Sequence, residues 1–268
     1  MNESKIDHFY RKIISRFNVK SMLLVVVPPI LLIMFWQYAA DVGWLSPHIL
    51  PAPSKIWDAF VSFWTDHTYQ DYFLISAQRV LKGFAIGVVI GLFLGIVMAI
   101  FSPVNSALSV ITGILRPIPM VGWLPIVLIW MGIGENSKVA VITIGCFWSV
   151  FINTMDGIKG VNNQYLEVAK ILEKGQITTL AKVILPASLP SILTGIRLGF
   201  ANAWRGVVSA EMLGAASGIG YMIAYARNIS RMDIMMIGLL TIGIVGCLLD
   251  IVVIAVQDRI LKWYSNKR

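Results

Sequence analysis

The chain has 268 residues, 57% of them hydrophobic and only 13% charged, with a formal net charge of +8 at pH 7. A mean hydropathy of +0.76 sustained over such a length excludes an ordinary soluble domain, in which about a quarter of residues are charged. The basic excess needs no nucleic acid to explain it, because lysines and arginines beside a bilayer set orientation and meet anionic lipid heads.

Stretches free of Asp, Glu, Lys and Arg run over 22–40, 83–115, 117–134, 139–155 and 234–249. About 20 apolar residues cross the hydrocarbon as a helix, so most of these are single crossings. The stretch 83–115 is too long for one and divides at Ser102-Pro103-Val104-Asn105, where proline and polar residues mark a surface turn. Another crossing follows Pro186, although it carries Arg197 and Arg205. The expected fold is all-α, a polytopic membrane bundle of about six transmembrane helices at roughly 21–40, 80–101, 105–131, 137–157, 188–212 and 235–257. Its expected parts are an inner N-terminal segment (1–20), a first helix with an outer interfacial segment (21–78), a core (79–260) with an inner loop at about 158–186, and an inner tail (261–268).

In chain order, the first crossing contains Pro28-Pro29 and lacks a small-residue cleavage site, so it is expected to stay in the membrane. Ser54 is the expected N-cap of an outer helix whose Ile56, Trp57, Phe60, Val61, Phe63 and Trp64 form an aromatic face, set in the interface or packed on the bundle. The second crossing places Gly83, Gly87, Gly91 and Gly95 on one stripe, which lets backbones approach closely. The third is expected to break at Arg116-Pro117-Ile118-Pro119 and again over Gly122 to Pro125, because proline removes helical hydrogen bonds. Such backbone must be satisfied by neighbours or line a hydrated cavity. Cys146 and Cys247 fall inside crossings and read as packing residues.

Thirteen Lys and Arg fall in the segments 1–20, 156–186 and 258–268, against four in 41–78, 132–138 and 211–233, so both termini are expected on the cytoplasmic side. Arg79 and Lys82, at an outer end, run against that rule. The sizeable inner loop has helical periodicity: Tyr165, Val168, Ala169 and Leu172 form an apolar stripe, with Glu167, Lys170 and Lys174 on other faces. Gly175 is the expected left-handed stop, with positive φ, and a second short helix is expected from about Thr178 to Leu185 before Pro186 and Pro190. A helix-turn-helix at the inner membrane face suits docking to a soluble partner.

Glu167-Val168-Ala169 followed by Ile184-Leu185-Pro186 resembles the EAA loop of binding-protein-dependent ABC importer permeases, in which Glu-Ala-Ala, a Gly and a terminal Leu-Pro recur. The similarity continues through LPAPSKIWDAF (50–60), RVLKGFAIG (79–87), RPIPMVGWLPIVLIWMGIGE (116–135) and AWRGVVSAEMLGAASGIGY (203–221). Covering about residue 50 to the end, it is similar to the nitrate, sulfonate, taurine and bicarbonate branch of that family. The resemblance implies a type I importer permease fold and a coupling loop that uses Glu167, Val168, Ala169, Leu172, Glu173, Gly175, Leu185 and Pro186. It implies as partners a cytoplasmic ATPase dimer, an extracytoplasmic solute-binding protein and a second, usually identical permease subunit. No cofactor is implied for this chain, ATP and Mg being held by the ATPases. Two positions depart from the pattern: Val168 replaces the central Ala, and Glu173 stands at the usual Gly. The implied solutes are small oxyanions, with thiamine-precursor pyrimidines as competitors.

The chain has no GxxxxGK[ST] phosphate loop, so ATP must act through a partner. An intramembrane enzyme would need a nucleophile with a base or a metal cluster, yet HExxH and CxxC are absent, and His8, His48 and His67 lie outside the crossings. A passive channel would leave the inner loop without purpose. Arg116, Arg197, Arg205 and Asp250 are candidate pathway or intramembrane charges, since ionisable groups in a bilayer demand partners or water. Helix rise puts Arg197 and Arg116 each about 16 Å, and Asp250 about 13 Å, from the inner side, so Asp250 is expected to pair with one of those arginines. Arg205, farther out, either meets an anionic solute or serves as a structural or snorkelling charge.

Overall fold

A computed structural model describes residues 19–262, with side chains from residue 24 onward. The expected N-terminal segment 1–20 and tail 261–268 therefore lie almost wholly outside the described residues. The helices are α1 (Val19–Asp41), α2 (Pro53–Thr65), α3 (Thr68–Ile100), α4 (Ser102–Leu115), α5 (Met120–Met131) and α6 (Glu135–Lys159). After them come α7 (Asn163–Ile171), α8 (Gln176–Thr179), a π turn (Leu180–Ile184), α9 (Leu185–Met212), α10 (Ile219–Asn228) and α11 (Met232–Ile260). Among the described residues, five helices are long and apolar enough to cross a membrane, six if α4 and α5 are one bent crossing. Long helices are what an apolar chain must form, because lipid offers no partner for an open backbone N–H or C=O.

Helix α6 is the centre of the bundle, flanked by α3 on one side and α9 on the other. The predicted glycine stripe makes the first contact. A Cβ added to Gly83, Gly87, Gly91 or Gly95 would lie 2.6, 2.8, 2.9 and 2.8 Å from the side chains of Ile142, Cys146, Val150 and Thr154, so α3 and α6 run parallel in fixed register. On the other face Gly195 and Gly199 of α9 meet Asn153 and Val150, giving an antiparallel pair. Cys146 is buried and Cys247 exposed, both free thiols.

Several expectations need correction. Helix α3 begins at Thr68 rather than near residue 80, because Tyr69, Tyr72, Phe73, Leu74 and Ile75 prolong its apolar character between the polar residues Gln70, Asp71, Gln78 and Arg79. The N-cap of α2 is Ala52, since Pro53 takes the first helical position, where its fixed φ fits and no N–H is required. Ser54 instead donates its N–H to Gln37 Oε1 (3.1 Å), and its Oγ accepts from Gln37 Nε2 (3.2 Å), fastening α2 to α1. The third crossing breaks at Arg116–Pro119, where α4 and α5 meet at 101°, but not over Gly122 to Pro125. Pro125 is the sixth residue of α5 and forfeits one hydrogen bond, which leaves the helix intact. The separate helix at 178–185 is also absent: α8, the π turn and α9 form one apolar helix over 176–212. The π turn shifts the hydrogen-bond register just before Pro186, which has no N–H to contribute.

Gly87→Leu should push α3 from α6 at a cost of about 1–3 kcal/mol, the range for overpacking. Thermal unfolding and folded yield in detergent should both fall, whereas Leu81→Ala, at an exposed position on the same helix, should leave both near the parent.

Candidate functional site

Three polar features are spaced along the bundle. The first joins the start of α6 to the end of α9. Arg79 of α3 is 3% exposed and holds two carboxylates. Its Nε and Nη2 donate to Glu135 Oε2 and Oε1 at 2.7 and 2.6 Å, while Nη1 donates to Glu211 Oε1 and the Ser217 carbonyl, both at 2.7 Å. Glu211, 1% exposed, also accepts from Ser76 Oγ (2.8 Å) and the Gly220 N–H (2.8 Å). Ser76 Oγ accepts in turn from the Ile219 N–H at 2.8 Å. Lys138 Nζ donates to Glu135 Oε1 at 3.0 Å, so two cations balance two anions. Gly218 has φ +110° and a Cβ there would collide with the Glu211 carboxylate, so the 213–218 turn requires glycine at that position.

This cluster explains Arg79, which the orientation rule left anomalous: Arg79 is consumed by ion pairs. Sequence reasoning missed Glu135, Glu211, Ser76, Lys138 and Ser217 as its partners. The available signal was that Glu135 and Glu211 stand at the expected outer ends of two crossings, level with Arg79 by helix rise. Lys82, the other offender, remains exposed.

The second feature is a cavity of about 390 Å³ at the α4–α5 bend, lined by Ile118, Met120, Ile144, Trp148, Asn202, Arg205 and Ser209 among others. Arg205 is exposed there. Its Nε donates to the Ala201 carbonyl (3.2 Å) and its Nη2 to Asn202 Oδ1 (2.8 Å), and the Asn202 amide donates to Ser149 Oγ (2.7 Å). It also borders a groove of about 300 Å³ between α9 and α11. In that groove Arg197 Nε and Nη2 donate to Asp250 Oδ1 and Oδ2 at 2.9 and 3.1 Å, so Arg197 is the partner expected for Asp250. Arg116 sits exposed at the bend, and among the described residues it forms no ion pair. The structure therefore pairs Arg197 with Asp250, places Arg205 on the same groove without an ion pair among the described residues, and leaves Arg116 out of the cavity and the groove.

The third feature is the loop between α6 and α9, expected on the inner side. Asn162 caps α7, its side chain accepting from the Gln164 N–H at 2.9 Å. The Lys174 N–H donates to the Ala169 carbonyl (3.0 Å) and the Glu173 N–H to the Lys170 carbonyl (2.9 Å), a Schellman closure of α7. The left-handed residue of that closure is Glu173, with φ +49°. Gly175 has φ −62° and ψ 156°, extended backbone open to any residue, so the expectation of a left-handed Gly175 is overturned. The spacing from Ala169, and not the residue type, decides which position must turn. Of the predicted apolar stripe only Ala169 is buried; Tyr165, Val168 and Leu172 face a groove of about 330 Å³ edged by Lys174, Thr178, Thr179, Lys182 and Val183. Ile171 and Ile177 are 79% and 84% exposed beside it. Glu167 is exposed, and Leu185 and Pro186 open α9 behind the loop.

Residues 87–266 match the family described as binding-protein-dependent transport system inner membrane component. A putative aliphatic sulfonates transport permease protein of Bacillus subtilis is 36% identical over 92% of this chain and 88% of its own length. The taurine transport system permease protein of Escherichia coli is 30% identical over 88% and 87%. The nitrate import permease protein of Synechocystis sp. is 38% identical over 65% and 64%. Among solved structures, an amino acid ABC transporter crystallised with histidines aligns at TM-score 0.63 and 15% identity over 75% of this chain and 97% of that one. The inward-facing MetNI methionine ABC transporter aligns at TM-score 0.58 and 18% identity over 70% and 92%. The fold is that of a type I ABC importer permease.

Two substitutions test the geometry. Arg79→Ala would strand the buried Glu211 carboxylate and should cost about 3–5 kcal/mol, seen as lost folded yield; Arg79→Lys should not restore it, since an ammonium cannot match the fork held by Glu135. Glu173→Gly should stabilise the loop by about 0.5–1 kcal/mol, the left-handed strain relieved less the added backbone entropy, and slow proteolytic nicking near residue 173.

Proposed function

This chain belongs to the family of binding-protein-dependent transport system inner membrane components, and from that premise we infer how it works as the membrane-spanning permease subunit of an ABC importer. Both termini lie on the cytoplasmic side, with α7 and α8 facing the cytoplasm. A pair of ATPase subunits there grips the loop and supplies all ATP and Mg chemistry, since this chain has no phosphate loop of its own. An extracytoplasmic binding protein delivers the solute to the outer end, and a second copy of this chain completes the pathway.

The observation that carries the ATPase contact is the loop surface. Tyr165, Val168, Ile171 and Leu172 on the capped helix α7 and its C-cap, with Ile177 of α8 beside them, are more than half exposed. An apolar patch facing water rather than lipid calls for a protein partner. Glu167, Lys170, Glu173 and Lys174 ring it with charges that fix register. The carboxylate ladder at the outer end and the glycine seam hold α3, α6 and α9 as one body, so motion imposed on α7 is transmitted rigidly.

The solute is a small oxyanion, of the kind carried by an aliphatic sulfonate, taurine or nitrate permease. The names of the relatives support that class, and so does an arginine without a carboxylate partner at the mid-membrane cavity.

Leu172→Asp places a charge on the exposed face without touching the bundle. In vesicles holding the permease, its ATPases and its binding protein, uptake per ATP hydrolysed should fall about tenfold or more, as for the loss of an interface hot spot. Unchanged coupling would remove α7 from the ATPase interface.

A further inference from the structure

Charges inside a bilayer must face protein or water, so exposed ones mark the side of a bundle that is turned away from lipid. Arg116 is exposed where α4 and α5 bend and forms no ion pair among the described residues. Asp250, held by Arg197, still has 36% of its side chain open. Arg205 stands between them, bordering both the cavity beside the bend and the groove that holds Asp250. Bend, cavity and groove are therefore neighbours on one face. Elsewhere Leu81, Val89 and Phe93 of α3 and Leu32 of α1 expose apolar side chains suited to lipid.

Helix α6 serves as a ruler for depth. Helix α4 starts beside the end of α6, where Lys159 Nζ donates to Asn105 Oδ1 at 2.8 Å. Eleven residues on, Arg116 is at most about 16 Å from that end, and any tilt of α4 brings it nearer. Arg197 is bracketed by Gly195, which packs on Asn153, and Gly199, which packs on Val150. Its partner Asp250 is thus level with Phe151 of α6, about 12 Å from the same end. The two opposite charges share one depth to within about 4 Å, at opposite edges of one face.

Two copies of one chain enter a membrane in the same orientation, so a two-fold axis relating them runs along the membrane normal and leaves every depth unchanged. Such a rotation brings the Arg116 edge of one copy to the Asp250 edge of the other. The carboxylate has room for a second guanidinium. It offers about four acceptor positions, and Arg197 takes one on each oxygen, at 2.9 and 3.1 Å.

We propose that this face is the contact with a second copy of the chain, and that Arg116 of each copy binds Asp250 of the other. The two cavities then adjoin at the axis. The proposal rests on the importer reading above, which calls for a second permease subunit, and names the surface and the residues that join it.

The test uses full-length chains bearing two different tags, co-expressed with the ATPase subunits, placed in nanodiscs and carrying Cys247→Ser. One chain carries Gly113→Cys and the other Val253→Cys, each one turn from its charged residue toward the Lys159 end, so that every charge stays in place. A short bis-methanethiosulfonate should join this pair about tenfold faster than Leu81→Cys with Val89→Cys. A second measurement is a double-mutant cycle on the dissociation constant of the two copies. Arg116→Gln should weaken the dimer about tenfold without lowering folded yield, and combining it with Asp250→Asn should cost no more than the worse single change. If Asp250→Asn does not fold, Arg116→Lys decides, since it should keep most of the affinity that Arg116→Gln loses. Tagged copies that co-purify without the cross-link, additive losses, or an Arg116→Gln dimer of parent strength would each overturn the pairing. A complex that transports with a single copy would overturn the second copy itself. ATP-dependent uptake by the parent complex is read separately: its absence refutes the importer reading, whereas uptake without the cross-link refutes this surface alone.

Discussion

Close approach of helix backbones is the constraint from which the rest of this molecule follows. Lipid tails are as apolar as leucine, so the hydrophobic effect does not drive helices together within the bilayer and van der Waals contact must do so. The stripe Gly83, Gly87, Gly91 and Gly95 brings α3 onto α6 so tightly that a single methyl would collide at every step, and Gly195 and Gly199 repeat the arrangement on α9. Once those three helices are in register, the positions of Arg79, Glu135 and Glu211 at one end and of Arg197 nearer the other are settled.

The charged residues show how a membrane bundle tolerates ions. At one end of the bundle, four charged side chains, two hydroxyls and backbone groups satisfy one another around a turn that only glycine at 218 can make. The exception to its burial is Glu135, 62% exposed in its side chain, which places one face of the cluster at the surface. Lower down, Asp250 and Arg197 join α11 to α9 through a two-pronged pair. Between these closed sites the α4–α5 bend leaves a cavity, since two helices meeting at 101° do not fill the space beside α6 and α9.

The inner loop is built on a different principle. Its capping is complete, with Asn162 at one end and a Schellman closure at the other, so α7 is rigid without burying its apolar face. The side chains left outside, Ile171 and Ile177 above all, form an exposed apolar surface. Placing Glu173 in left-handed backbone is mildly unfavourable, and the closure persists because both of its hydrogen bonds and the burial of Ala169 depend on it.

The sequence alone determined the class of this protein. Charge-free runs of membrane length dictated helices, the glycine interval dictated a packing seam, and the motifs around residues 167–186 pointed to the importer family. Helix rise was enough to match Asp250 with an arginine at its own depth, but not to choose between Arg197 and Arg116. The tertiary structure makes that choice, since Arg197 holds both oxygens of Asp250 while Arg116 sits exposed where α4 and α5 bend. Only tertiary structure could gather Arg79, Glu135 and Glu211, which are far apart in sequence, or leave Arg205 beside an unpartnered indole. It also decided that Glu173 turns while Gly175 stays extended. A residue's propensity says what it tolerates, whereas hydrogen bonds made three and five residues back fix the position that must bend.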